Sequence, residues 1–203
     1  MTGRAGGQVR IVGGLLKRTP LPVDGDRAGL RPTPERVRAT LFDWLGERVV
    51  GADCLDPFCG TGALGLEAVS RGAASVWLND RHAAPVARLR TWLDARAQAR
   101  DPRVVQALAA VRLTREDALS LMRALAARGE RFDLILLDPP FALGAIEAIL
   151  AAARPLLRPG GEIYLESASA LTDAQANALS LALTRQGQAG RVHYHLLADD
   201  TNR

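Results

Sequence analysis

From about residue 52 onward, apolar positions alternate between the two-residue period of a strand and the wider spacing of a helix. Residues 49–56 close in a short strand. Residues 62–71 predict an amphipathic helix with Leu64, Ala68 and Val69 on one face. SVWLN at 75–79 reads as a second strand, and 85–100 as a long, arginine-studded helix. A weak third strand follows at 111–113, then a helix over 118–128 carried by Leu121, Met122 and Leu125. FDLILL at 132–137 is a continuous apolar run, which marks a strand buried on both faces. After an apolar stretch at 145–157, a turn at Pro159-Gly160-Gly161 leads into a strand at 162–166. Two last strands are predicted at 179–185 and 191–197, joined through Gly187 and Gly190. Such alternation implies an α/β fold, a mostly parallel sheet with helices on both faces.

The first fifty residues follow another pattern. QVRIVGGLLKR at 8–18 predicts a two-stranded ribbon turning at Gly13-Gly14, and 24–30 a polar loop. Thr33 fits an N-cap, with Pro34 at the first helical position and Glu35 in the first turn. Val37, Leu41, Trp44 and Leu45 then form one buried stripe, which leaves Arg36 and Arg38 to reach solvent or a ligand. The expected division is a basic N-terminal extension over 1–50 and a sheet domain over 51–203.

Charge sharpens this division. Residues 1–48 carry nine Lys and Arg against five Asp and Glu, which accounts for the whole net charge of +4. A basic appendage on a neutral body is the footprint of a polyanion-binding surface. Lys17 is the only lysine, so the arginine excess reflects base composition as much as function. With no apolar signal core at the start and no membrane-length apolar run, a cytoplasmic protein without membrane contact is expected. Cys54 and Cys59 flank one short loop; neither a disulfide nor a metal site is expected of them.

The candidate chemistry lies in two loops. CLDPFCGTGALGLE at 54–67 contains Gly60-Thr61-Gly62-Ala63-Leu64-Gly65, a G-x-G-x-x-G between a strand and a helix, and Asp80 follows the next strand. These features serve a nicotinamide cofactor and S-adenosylmethionine equally well. Asp56 and Pro57 separate the two. A carboxylate at the strand tip repels a pyrophosphate but suits the cationic ammonium and sulfonium of the methyl donor, whose carboxylate can face the helix N-terminus. The second loop, Asp138-Pro139-Pro140-Phe141, directly follows FDLILL. An exocyclic amine on a base is a poor nucleophile, because its lone pair is delocalised into the ring. A carboxylate and a rigidly held carbonyl that both accept from the amine favour its rehybridisation, and a neighbouring aromatic ring can stack on the base.

RIVGG, LRPTPERVRATLFDWL, LDPFCGTGALGLEAVSRGA and FDLILLDPPF together resemble the class I S-adenosylmethionine-dependent methyltransferases of exocyclic amines, and more narrowly the bacterial 16S ribosomal RNA guanine-N2 methyltransferases. The resemblance runs from about residue 10 to residue 197. It implies a Rossmann-like, seven-stranded, mostly parallel sheet with a short basic extension of ribbon and helix. It also implies methyl transfer from S-adenosylmethionine, giving S-adenosylhomocysteine, to the N2 of a guanine in 16S rRNA of assembled or nearly assembled 30S subunits; a monomer without a metal is expected. Transferred to this chain, it places Asp56, Phe58, Gly60 and Gly62 at the donor and Asp117 near the adenine amine. Asp138, Pro139, Pro140 and Phe141 fall at the target amine, and Arg10, Lys17, Arg18, Arg31, Arg36 and Arg38 at RNA. The family's usual ribose-binding acid falls on Leu78 here, so Asp80 is the candidate in its place.

Two enzyme rivals share parts of this pattern. A DNA adenine-N6 or cytosine-N4 methyltransferase has the same amine chemistry but needs a larger base-reading region than fifty residues. A dinucleotide-dependent oxidoreductase is supported by the glycine loop alone. A non-catalytic RNA-binding factor would have no use for Asp138-Pro139-Pro140-Phe141. His193 and His195 read as surface or sheet residues.

Overall fold

The computed structural model describes residues 9–22, 33–140 and 146–200. Strands β1 (Asp53–Asp56), β2 (Ser75–Asn79), β3 (Val111–Thr114), β4 (Phe132–Leu137), β5 (Leu157–Ser167), β6 (Leu181–Ala189) and β7 (Val192–Asp199) form one sheet in the order β3-β2-β1-β4-β5-β7-β6. The first five run parallel, whereas β7 is antiparallel to both β5 and β6. Helices α1 (Glu35–Leu45), α2 (Ala63–Ser70), α3 (Ala83–Asp94) and α4 (Pro102–Ala109) cover one face. The other face carries α5 (Ala118–Ala127), α6 (Ile146–Ala153) and α7 (Asp173–Asn177).

Alternation along the strands decides which core each side chain joins. In β4, Leu134 and Leu136 face the first layer, and Ile135 and Leu137 the second. At the amino ends of β1 and β4, Arg158 donates to Asp53 and Asp133, each at 2.6 Å. Pro159 to Gly161 do not end a strand. They form an irregularity within β5, whose pairing jumps from Leu157 opposite Phe132 to Glu162 opposite Leu134.

The helices depart from expectation where long-range packing outweighs local pattern. Helix α2 is not amphipathic, because all eight of its residues are buried between sheet and N-terminal segment. The helix expected over 85–100 stops at Asp94. Helix α4 then starts independently, with Asp101 accepting from the Arg103 N–H at 2.9 Å and Pro102 in its first turn.

The expected ribbon over 8–18 is a wider reversal with a single bridge, Arg10 opposite Pro20. Its glycines serve docking rather than a hairpin turn. Gly14 has φ of +72°, and a β-carbon there would overlap the Ser70 carbonyl at the end of α2. That carbonyl accepts from the Leu15 N–H at 2.7 Å, and the Ser70 hydroxyl donates to the Gly13 carbonyl.

Arg38, expected at the surface, is fully enclosed. Its guanidinium donates to Glu67 on α2 at 3.1 Å, to the Arg10 carbonyl at 2.7 Å and to the Thr33 carbonyl at 3.3 Å. Glu67 has no exposed side-chain surface either, and also accepts from the Val12 and Gly13 N–H groups, both at 2.7 Å, and from Arg71 at 3.0 Å. Burial pushes the Arg38 pKa down, and the charge of Glu67 opposes that shift. The buried face of α1 therefore comprises Val37, Arg38, Leu41, Phe42 and Leu45, while Trp44 is half-buried.

Removing one member of such a pair leaves a charge stranded in the core. Arg38→Met should cost about 3–5 kcal/mol, measured as a lower urea midpoint. Arg103→Ala, which breaks an exposed pair with Asp101, should leave the midpoint unchanged.

Candidate active site

The strand order reverses between β1 and β4, and their carboxyl ends bring Asp56 and Asp138 close enough that the charge of Asp56 raises the Asp138 pKa. Asp56 is 1% exposed. Its Oδ2 accepts from the Gly65 N–H at 3.1 Å, while Oδ1 is buried with no hydrogen-bond partner among the described residues. Burial, reinforced by the charge of Asp80, pushes this carboxyl up to about 8. A carboxylate in that condition calls for a cation or an added donor.

The loop after Asp56 is braced by the tip of β2. Asn79 is buried; its amide donates to the Pro57 and Glu116 carbonyls, both at 3.1 Å, and its oxygen accepts from the Glu116 N–H at 2.9 Å. One side chain thus joins the loops following β1 and β3. Asp80 accepts from the Gly60 N–H at 3.0 Å through one oxygen and from the His82 N–H at 2.8 Å through the other. It remains part-exposed at the loop, whereas Leu78 is core.

Of the glycines, Gly60 has φ of +50° and open space where a side chain would stand, as a ligand-facing position requires. Gly65 is a packing glycine, since a β-carbon there would overlap Leu78. Phe58 is half-buried against the second core. Asp117 caps α5, accepting from the Ser120 N–H at 2.9 Å, a bond that holds its carboxyl below the usual range.

On the other side of Asp56, the Asp138 carboxyl lies beside Glu166 at the end of β5. Thr33 was expected to cap α1; instead Pro34 occupies the cap and the Thr33 hydroxyl points across to these acids. It donates to Glu166 Oε1 at 2.7 Å and lies 3.4 Å from Asp138 Oδ2. The Tyr164 hydroxyl donates to the same Glu166 oxygen at 2.9 Å. Burial, then the charges of Glu166 and Asp56, push the Asp138 pKa well up. Pro139 is buried and Pro140 exposed, while Phe141 lies outside the described residues.

Thr33, Asn79, Tyr164 and Glu166 are the site residues that local sequence reading missed. Asn79 and Glu166 did carry a signal, a polar residue closing an apolar strand beside a candidate loop.

The family model described as "Conserved hypothetical protein 95" matches residues 9–198. Ribosomal RNA small subunit methyltransferase D of Escherichia coli (strain K12) is 40% identical over 194 residues, 94% of this chain and 89% of the relative. The chain belongs to the ribosomal RNA small subunit methyltransferase D family. A solved structure of yhhF from Escherichia coli, a candidate methyltransferase by its description, superposes with a TM-score of 0.75 at 36% identity, covering 94% of this chain and 97% of that one. SMU.776, described as a methyltransferase complexed with SAH, shares the fold at 16% identity with a TM-score of 0.67, over 86% of this chain and 51% of that one. The sheet of this family member is therefore that of the class I S-adenosylmethionine-dependent methyltransferases.

The basic residues expected at RNA divide. Arg10, Lys17, Arg18 and Arg36 are exposed; Arg38 is committed to Glu67; Arg31 lies outside the described residues. His195, in contrast, is enclosed within the sheet, accepting from the Leu171 N–H at 3.0 Å.

Because the folded-state pKa of Asp56 lies above the ordinary unfolded value of about 3.9, the folded ligand-free chain holds a proton that the unfolded chain releases. This contribution is present below about pH 4 and is lost as pH rises through about 8. Asp56→Asn should flatten the fall in stability between those limits, measured by urea unfolding at a series of pH values.

Proposed function

We propose that this chain transfers a methyl group from S-adenosylmethionine to the exocyclic N2 of a guanine in 16S rRNA, acting in the cytoplasm as a monomer on assembled or nearly assembled 30S subunits. The observation that carries the reading is the adjacency of Asp138, an acceptor for an amine, and Asp56, an acid that calls for a cation. The 40% identity to a ribosomal RNA small subunit methyltransferase supports the substrate class. The residues present fit the methyl donor: three carboxyl groups, Asp56, Asp138 and Glu166, interact at the carboxyl ends of β1, β4 and β5.

When bound, S-adenosylmethionine supplies an electrophilic methyl group on a cationic sulfur. Asp56 would favour its positive groups, Gly60 and Gly62 would let the backbone pass beneath it, and Phe58 would pack beside it. Asp80 would meet the ribose and Asp117 the adenine amine. Asp138 and the Pro139 carbonyl would accept from the target amine, drawing its lone pair out of conjugation. Pro140 stiffens that carbonyl's setting, and Phe141 would stack on the extruded base. Residues 1–50 would form the RNA-contacting extension, with Arg10, Lys17, Arg18, Arg31 and Arg36 meeting phosphates. Arg38 would support that surface from within.

The test is transfer of label from S-adenosylmethionine to unmodified 30S subunits, with naked 16S rRNA and duplex DNA alongside, followed by digestion to nucleosides. Label in N2-methylguanosine, strongest on the subunits, is expected; label confined to DNA adenine or cytosine would overturn the RNA reading. Asp138→Ala should lower the rate by about a hundred-fold or more while S-adenosylhomocysteine affinity holds. Arg36→Glu should weaken binding to 30S subunits and reduce the salt dependence of that binding.

A further inference from the structure

Thr33 has one hydroxyl proton and two acids within reach. The 2.7 Å bond to Glu166 is the main use of that proton; Asp138 Oδ2, at 3.4 Å, competes for it while ionised and, once protonated, can donate to a lone pair of the same oxygen. The three groups therefore form a directional chain, Asp138 to Thr33 to Glu166. The geometry points to Thr33 as a relay that accepts a proton from Asp138 and passes its own to Glu166, which makes Glu166 the proton store of the site. This inference rests on the amine-methylation reading of Asp138.

The chemistry balances. As the amine nitrogen forms its bond to the methyl carbon, the carbon–sulfur bond breaks with its electron pair on sulfur, and one N–H proton leaves for Asp138. Asp138 then gives a proton to the Thr33 oxygen while the Thr33 proton moves to Glu166. Asp138 is restored as a carboxylate, and Glu166 is left neutral. The proton returns by the same path once product leaves and water reaches Asp138, which is part-exposed.

Electrostatics gives this movement a reason. Among the described residues, the groups facing Asp138 are Glu166 from β5, Asp56 from β1 and Thr33 from the segment before α1. Glu166 also meets Tyr164, which in turn feels Tyr194 of β7. Arg38 is directed to the Thr33 carbonyl and to Glu67. Methyl transfer converts a cationic sulfur to a neutral one, so a site whose acids keep the amine's proton holds its total charge, donor included, constant through the reaction.

Thr33 and Glu166 act through Asp138 and are thus positioning residues, so the test needs a measurement that packing alone would not move. Carboxyl carbon NMR titration of the ligand-free chain supplies it. Thr33→Val removes the hydroxyl that favours both ionised forms, and should make Asp138 and Glu166 titrate at higher pH. Glu166→Gln removes the neighbouring charge and should make Asp138 titrate at lower pH. Single-turnover transfer to 30S subunits should slow by about ten-fold or more in each, with S-adenosylhomocysteine binding unchanged, and Thr33→Ser should restore the rate. An unshifted Asp138 titration in Thr33→Val, a wild-type rate in that variant, or a loss that serine does not repair would overturn the relay. Should Thr33→Val not fold, an unmoved titration or a wild-type rate in Glu166→Gln overturns it equally. A wild-type chain that methylates no guanine would instead sink the functional reading, and the titrations would still decide whether Thr33 links the two acids.

Discussion

A guanidinium enclosed by protein has lost its water and must recover those hydrogen bonds from its surroundings. Arg38 recovers them from three places: the helix that follows the glycine loop, the N-terminal reversal, and the residue that faces Asp138. Glu67 in turn accepts from four donors: Arg38, Arg71 and the Val12 and Gly13 N–H groups. Every nitrogen of the guanidinium and both carboxylate oxygens thus have a partner, a condition that favours a single arrangement. Shifting α1, α2 or the segment at 9–22 relative to the others would leave a charge or a backbone group unpaired. The position of Thr33, and with it the setting of Asp138, follows from that constraint.

The functional end of the sheet has the opposite character. Asp56, Asp138 and Glu166 gather there with their repulsions largely uncompensated. At the other end of the same strands, Arg158 pairs with both Asp53 and Asp133. Among the described residues no cation is paired with the acids of the functional end, which is the condition that a cationic ligand would relieve.

Much of this was legible in the sequence. Strands β2 and β4 fall on the residues their patterns indicate, and the acids at the ends of β1 and β4 sit where ligands bind a doubly wound sheet. What escaped reading was set by partners distant along the chain. Arg38 lies beside the apolar stripe of α1, and nothing local shows that Glu67 waits inside the core. Thr33-Pro34-Glu35 has the composition of a helix cap, but Thr33 finds better acceptors more than a hundred residues away. Helix α2 reads as half-exposed because the segment that covers it lies 54 to 57 residues earlier in the chain. Helix α4 had its signal, Asp101 before Pro102, hidden by the arginine-rich run that precedes it.

The spans of these contacts imply an order of assembly. Glu67 meets Arg38 across 29 residues, so the clamp on the N-terminal segment is available early to a chain emerging from synthesis. Thr33 meets Glu166 across 133 residues. Until β5 has been made, its hydroxyl lacks the partner that holds it, and Asp138 lacks the neighbour that perturbs it. The nascent chain therefore holds both partners of the Arg38–Glu67 pair well before those of the Thr33–Glu166 contact.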